Sequence, residues 1–190
     1  MSRIPSLPEH ENAERILDEG WILFQQKGYR GVSVDELCNR CGLTKPTLYY
    51  YFQDKENLFV AVLENRLHGF RAALEEPGTL SERLQRFAVS IFNSFQSEYS
   101  SLLHDREHLK KPENLARIRD AFHNEMFGPL INLLQDGIRR GELDGSARML
   151  ALIFLGSVNN LIGKAQELGM THEQLAEKIT GYFLKGVYKK

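Results

Sequence analysis

The chain lacks most of the features that mark specialised classes, and each absence removes a group of functions. Its 190 residues include two cysteines, too few for the disulfide framework of a small secreted domain. No basic start followed by an apolar segment is present, so a soluble, cytoplasmic protein is expected. The most apolar run, Ala147 to Val158, is interrupted by Gly156 and Ser157 and falls short of the roughly 20 residues that cross a bilayer. Neither sign of charge is in excess: 24 Lys and Arg face 25 Asp and Glu for a net charge of -1, so composition by itself does not point to nucleic acid. No stretch alternates polar and apolar residues as a strand does, and there is no repeat or low-complexity tract. What is present is 42% hydrophobic residues, ample for a core at this length, spaced as in helices almost throughout. The expected fold is all-α, with about nine helices.

The first third carries the clearest punctuation. Ala13, Ile16, Leu17, Gly20, Leu23 and Phe24 form one stripe of a first helix, which Gly28 is expected to end in a left-handed conformation. Ser33 to Glu36 has the S-x-x-E form of a capping box, with Glu36 reaching back to the Ser33 amide. The short second helix shows Val34, Leu37, Cys38 and Cys41 on one face and closes at Gly42. Thr44 caps the third helix, Pro46 occupies its first turn, and Leu48 with Phe52 sets its core side. Two short helices around Gly42 and Leu43 outline a helix-turn-helix.

That geometry addresses the run Tyr49, Tyr50, Tyr51. Consecutive helical side chains point about 100° apart, so the three rings cannot share one buried face. With Leu48 and Phe52 turned inward, Thr44, Lys45, Thr47, Tyr49 and Tyr50 point outward near the helix N-terminus, where a groove-reading helix makes its base and phosphate contacts. Lys55 adds a cation at the start of the fourth helix. Up to Leu58 there are seven basic and nine acidic residues, but five of the acids precede residue 20. Modest non-specific affinity with a few well-placed cations is therefore expected.

The stretch GYRGVSVDELCNRCGLTKPTLYYYFQDKENLF, Gly28 to Phe59, resembles the DNA-binding domain of the TetR family of one-component transcriptional regulators, most specifically at G-L-T-K-x-T-L-Y-x-Y-F-x-x-K-E-x-L. The resemblance covers roughly the first third of the chain. It implies an N-terminal three-helix DNA reader over residues 1–58, a larger helical ligand-binding and dimerisation domain over 59–190, and a homodimer formed by the last two helices. Carried over by position, Thr44, Lys45, Thr47 and Tyr49 lie in or beside the major groove, with Pro46 in the same turn, and Ser33, Tyr50, Tyr51 and Lys55 hold phosphates. The implied partners are a palindromic DNA operator and a small-molecule effector, with no cofactor and no membrane.

Beyond Asp54, which caps a fourth helix from Lys55 to about Glu76, helices are expected near 79–98, 101–109, 113–140, 146–168 and 172–188. Phe87, Phe92, Phe95, Tyr99, His104, Phe122, His123, Met126, Phe127, Asn159 and Asn160 supply the mixture of aromatics and polar groups that lines a small-molecule pocket, and equally a plain core. The helix Ala147 to Leu161 is apolar nearly all round. With Leu175, Ile179, Phe183 and Val187 it suits an internal core or a four-helix seam with a second copy; the resemblance favours the seam, lined by Phe154, Val158, Leu161, Leu175, Ile179 and Phe183.

Two motifs point elsewhere. Cys38 to Cys41 is a lone C-x-x-C on an apolar helix face, where cysteine acts as a small hydrophobe. His104 to His108 matches the H-x-x-E-H of inverted zinc peptidases, which makes a metal-dependent hydrolase using His104, Glu107 and His108 the rival function; so short a motif recurs by chance, and a metal effector site built from the two histidines ranks above catalysis. A helical interaction module without DNA binding is the third.

Overall fold

The computed structural model describes residues 7–95 and 105–187, and over these it is helical with no strand. The segments are α1 (Leu7–Gly31), α2 (Val34–Cys41), α3 (Lys45–Phe52), α4 (Lys55–Leu67), α5 (Phe70–Glu75), α6 (Leu80–Ser94), a 3-10 turn (Asp105–His108), α7 (Pro112–Phe122), a π turn (His123–Phe127), α8 (Gly128–Arg139), α9 (Ala147–Leu161) and α10 (His172–Val187). The described residues divide into two compact units, one within residues 1–66 and 101–118 and the other within 67–100 and 119–190. The 3-10 turn and the first half of α7 thus belong with the first four helices.

In the first unit, Ile16, Leu23, Phe24, Leu37, Leu48, Leu58, Phe59 and Val62 are fully buried. Phe24 and Phe59 meet edge to face at 5.0 Å, the arrangement that ring quadrupoles favour. α1 bends at Gly28 (φ 68°), a backbone conformation that glycine reaches without strain. There the Tyr29 amide donates to an Asp105 carboxylate oxygen at 2.8 Å, and a Cβ on residue 28 would stand 3.1 Å from that same oxygen. The capping box expected at Ser33 forms only halfway: Ser33 Oγ accepts from the Glu36 amide at 3.1 Å, while the Glu36 carboxylate is taken by Lys27. A complete box occurs at Thr79 and Glu82.

The second unit is built on α6, which packs against α5 and α10, and on α8 against α9. Leu74, Leu84, Phe87, Ile91, Leu130, Leu134, Phe154 and Val158 form its interior. The single helix expected from Lys55 to Glu76 is two helices, because Gly69 adopts φ 101° and starts α5 anew. The Gly69 amide is held by the Glu125 carboxylate at 3.3 Å, a partner that no local pattern could announce. The helix expected over 113–140 contains the His123–Phe127 π turn, where one residue too many is accommodated without ending the helix. The helix expected over 146–168 stops at Leu161, where Ile162 turns extended (ψ 132°).

Candidate nucleic-acid interface

The turn between α2 and α3 is made by one residue. Gly42 takes φ 63°, ψ 32°; its amide reaches the Asn39 carbonyl at 3.3 Å and the Leu43 amide reaches Cys38 at 2.9 Å. This paired closure satisfies the last carbonyls of α2 and reverses the chain. Thr44 then caps α3, its hydroxyl accepting from the Thr47 amide at 3.4 Å and lying 2.9 Å from the Thr47 hydroxyl. At the other end Gln53 has a positive φ of 66°, a sparsely populated conformation for a residue with a Cβ. Its cost is met by a two-residue connection: the Gln53 amide donates to the Tyr49 carbonyl at 2.8 Å, and Asp54 already caps α4 through the Asn57 amide at 2.9 Å.

Between these ends α3 buries Leu48 completely and turns Thr44, Lys45, Pro46, Tyr49 and Tyr50 outward, Tyr50 being 68% exposed. Thr47, Tyr51 and Lys55 are half-buried, and Ser33 is exposed. Tyr51 is wedged between Tyr50 and Phe52, with ring centroids at 5.3 and 6.2 Å. Lys55 lies 4.6 Å over the Tyr29 ring; burial holds its ammonium below the usual lysine range, against the pull of Asp105. Lys45 is paired with Asp35 at 2.8 Å, which raises its pKa through that hydrogen bond and charge. The Asp35 and Tyr29 partners join residues ten and twenty-six positions apart, and no periodicity within a helix signals them.

The first turn of α4 carries a buried carboxylate. Glu56 accepts from the amides of Lys110 and Lys111 at 3.0 and 2.9 Å and from the buried Asn114 side chain at 3.1 Å. Burial alone would raise its pKa, yet these donors bring it below the usual range. Asp54 is likewise lowered, its burial outweighed by Lys111 and the Asn57 amide. Two acids adjoining α3 thus anchor the segment that opens α7.

The remaining candidate residues scatter. Phe95 and Met126 are buried, Phe122 is half-buried, and His123 and Asn160 are exposed. Asn160 bonds its own helix at the Gly156 carbonyl, 2.9 Å away, so it does not face an interior pocket. Asn159 is half-buried, and Tyr99 and His104 lie outside the described residues. Of the interface candidates, Phe154, Val158, Leu175 and Phe183 are interior, Phe154 meeting Phe183 at 5.0 Å, while Leu161 and Ile179 are half-buried. This corrects the expected seam: the large apolar side chains that α9 and α10 expose are Met149, Leu152, Ile153 and Tyr182. An all-round apolar helix does not reveal which side its own chain covers.

Cys38 and Cys41 are buried free thiols whose pKa values burial pushes up, which suits packing rather than redox chemistry. Glu107 and His108 are exposed on the 3-10 turn. Among the described residues no group of three potential ligands is placed to hold a metal, and no helix is long and apolar enough to cross a membrane.

Residues 16–62 match the family model for bacterial regulatory proteins of the tetR family. The transcriptional activator FasR of Mycolicibacterium smegmatis is 31% identical over 122 residues, covering 60% of this chain and 55% of that protein. The chain spans about half the length of the first curated relatives it matches, 55% and 46%. Among solved structures, the TetR-family regulator PfmR of Thermus thermophilus superposes with a TM-score of 0.73 at 27% identity, over 90% of this chain and 97% of that one. AibR, solved with isovaleryl coenzyme A and operator DNA, superposes with a TM-score of 0.71 at 23% identity, over 90% and 97%.

Proposed function

Since its N-terminal helices belong to the TetR family, we propose that the chain is a ligand-responsive transcriptional regulator, a homodimer that represses from a palindromic operator until a small effector releases it. The observation that carries the reading is the face of α3: Thr44, Lys45, Tyr49 and Tyr50 stand outward, with Thr47 half-buried beside them, at the opening of a helix whose opposite side is locked by Leu48. Such a helix entering the major groove offers Lys45 and the threonines to base edges and its tyrosine hydroxyls to phosphates. Ser33 and Lys55 extend the phosphate track from two further helix starts. The reader is residues 1–58, and 59–190 binds the effector and the second copy.

Two copies are required because one short helix reads too few base pairs, and a two-fold dimer addresses two half-sites at a set spacing. Met149, Leu152, Ile153 and Tyr182 supply the exposed apolar face for it, with Gly156 and Gly181 leaving open space beside them. The effector belongs near Phe95, Phe122 and Met126. Support comes from the aromatic cluster of Phe70, Phe87 and Phe95 and from the π turn, a device frequent at functional sites. Because the Gly69 amide is tied to the π turn through Glu125, a ligand that reshapes this turn acts on the joint where α4 gives way to α5, and α4 follows α3 directly in the chain. Effector and DNA must then weaken each other by one common factor, about 5- to 150-fold for typical couplings.

Selection of bound sequences from genomic fragments tests the proposal. An enriched sequence with dyad symmetry is expected; recovery of fragments without any shared sequence would refute it. Acyl coenzyme A thioesters, one of which AibR binds, form the first effector panel.

A further inference from the structure

Five cations lie between Trp21 and Leu58, and three of them are already bound to carboxylates: Lys27 to Glu36, Arg40 to Glu19 at 2.6 Å, and Lys45 to Asp35 at 2.8 Å. Only the last pair belongs to the reading face itself. Asp35 sits in the first turn of α2 and Lys45 opens α3, so the Gly42 turn brings them together. Both side chains are well exposed, 69% and 49%, so the pair is not a packing element, and exposed pairs contribute little to stability. An acid held against the foremost cation of a DNA reader opposes general affinity for a polyanion.

Resting on the DNA-binding reading above, we propose that Asp35 is a specificity-determining residue: it occupies Lys45 in the free protein and surrenders it only to a base edge that outcompetes a carboxylate. On random DNA the alternative partner for Lys45 is a single phosphate oxygen, which offers no advantage over Asp35 and leaves the pair closed. At the operator a guanine presenting O6 and N7 together binds the ammonium in a fixed geometry, and the pair opens. Asp35 therefore acts by penalising wrong sequences rather than by rewarding the right one. The raised pKa of Lys45 agrees with a cation held in this way.

The test measures binding of the full-length protein to a random-sequence duplex of about 20 base pairs and to a fragment recovered by genomic selection, across salt concentrations. Asp35→Asn is expected to raise affinity for the random duplex roughly three- to tenfold, with its log–log salt slope steeper by about 0.9, one more phosphate contact. Affinity for the selected fragment should rise much less, so the specificity ratio falls. Asp35→Glu, which keeps the charge, should restore the ratio. In a Lys45→Gln background the effect of Asp35→Asn should disappear. Persistence of the gain in that background would show simple repulsion between Asp35 and phosphate and would overturn the proposal, as would an unchanged salt slope. If the wild type retards neither duplex, the DNA-binding reading and this inference both fall; if it retards the selected fragment but Asp35→Asn behaves like wild type, this inference alone does.

Discussion

Replacing Glu56 with alanine removes a carboxylate that holds three donors at once, the Lys110 and Lys111 amides and the Asn114 side chain. Asn114 is 1% exposed and Glu56 8%, so water cannot simply take the carboxylate's place. Hydrogen bonds to a charged group contribute about 1.5–3 kcal/mol each, and orphaned buried donors keep their desolvation cost. Allowing for partial rearrangement, the loss should be about 3–5 kcal/mol, within the range for breaking one side of a buried charged pair. For a chain of this size that lowers Tm by roughly 6–20 °C. Calorimetry or circular dichroism at fixed protein concentration measures it, since association with a second copy shifts Tm by mass action. The pH dependence supplies an independent check. Because the folded pKa of Glu56 lies below its ordinary value of 4.5, its contribution is complete above that value and is lost as pH falls through the folded value. Wild type should therefore lose stability below about pH 4.5 more steeply than Glu56→Gln. A Glu56→Ala variant within about 1 kcal/mol of wild type, with the same acid limb, would refute the reasoning. DNA affinity should fall in the same variant, since Glu56 lies in the first turn of α4, just beyond the Gln53 turn that ends α3.

Tyr49→Phe and Lys55→Ala should weaken binding to selected and scrambled DNA about equally, as phosphate contacts carry no base information; Lys45→Ala should instead narrow the ratio between the two, and titrations at several salt concentrations separate these outcomes. Ile153→Glu or Tyr182→Glu should dissociate the proposed dimer with the monomer still folded, read by sedimentation and circular dichroism, because these positions are exposed on the single chain. Phe183→Glu, by contrast, should unfold the chain, since its ring packs on Phe154 and an unpaired buried charge costs several kcal/mol; a folded monomer there would refute the assignment of Phe183 to the core. Gly28→Ala should cost about 1–3 kcal/mol, because φ 68° with ψ 173° is a region open essentially to glycine alone, and more from the contact with Asp105, as measured by urea unfolding.

The helix-turn-helix was legible in the sequence because its determinants are local. A glycine that must adopt positive φ at Gly42, a threonine that caps the next helix at Thr44, and an i, i+4 apolar pair at Leu48 and Phe52 each act within one turn of chain. Together they decide which side of α3 faces out, and that decision made the tyrosines candidates. The same locality explains where the reading failed. The break at Gly69 looks like any tolerated helical glycine until Glu125, fifty-six positions away, holds its amide. The Glu36 carboxylate had a good local partner in the Ser33 amide and was taken by Lys27 instead, because α1 and α2 pack together. Phe154 and Phe183 have the right spacing for a seam between copies, but spacing defines a face without saying what covers it. Only the packing of α9 and α10 on their own unit decided that these rings are interior and that Met149, Leu152, Ile153 and Tyr182 are left outside. Hydrophobic periodicity is a property of one helix, whereas burial and ion pairing depend on what other helices bring within a few ångströms.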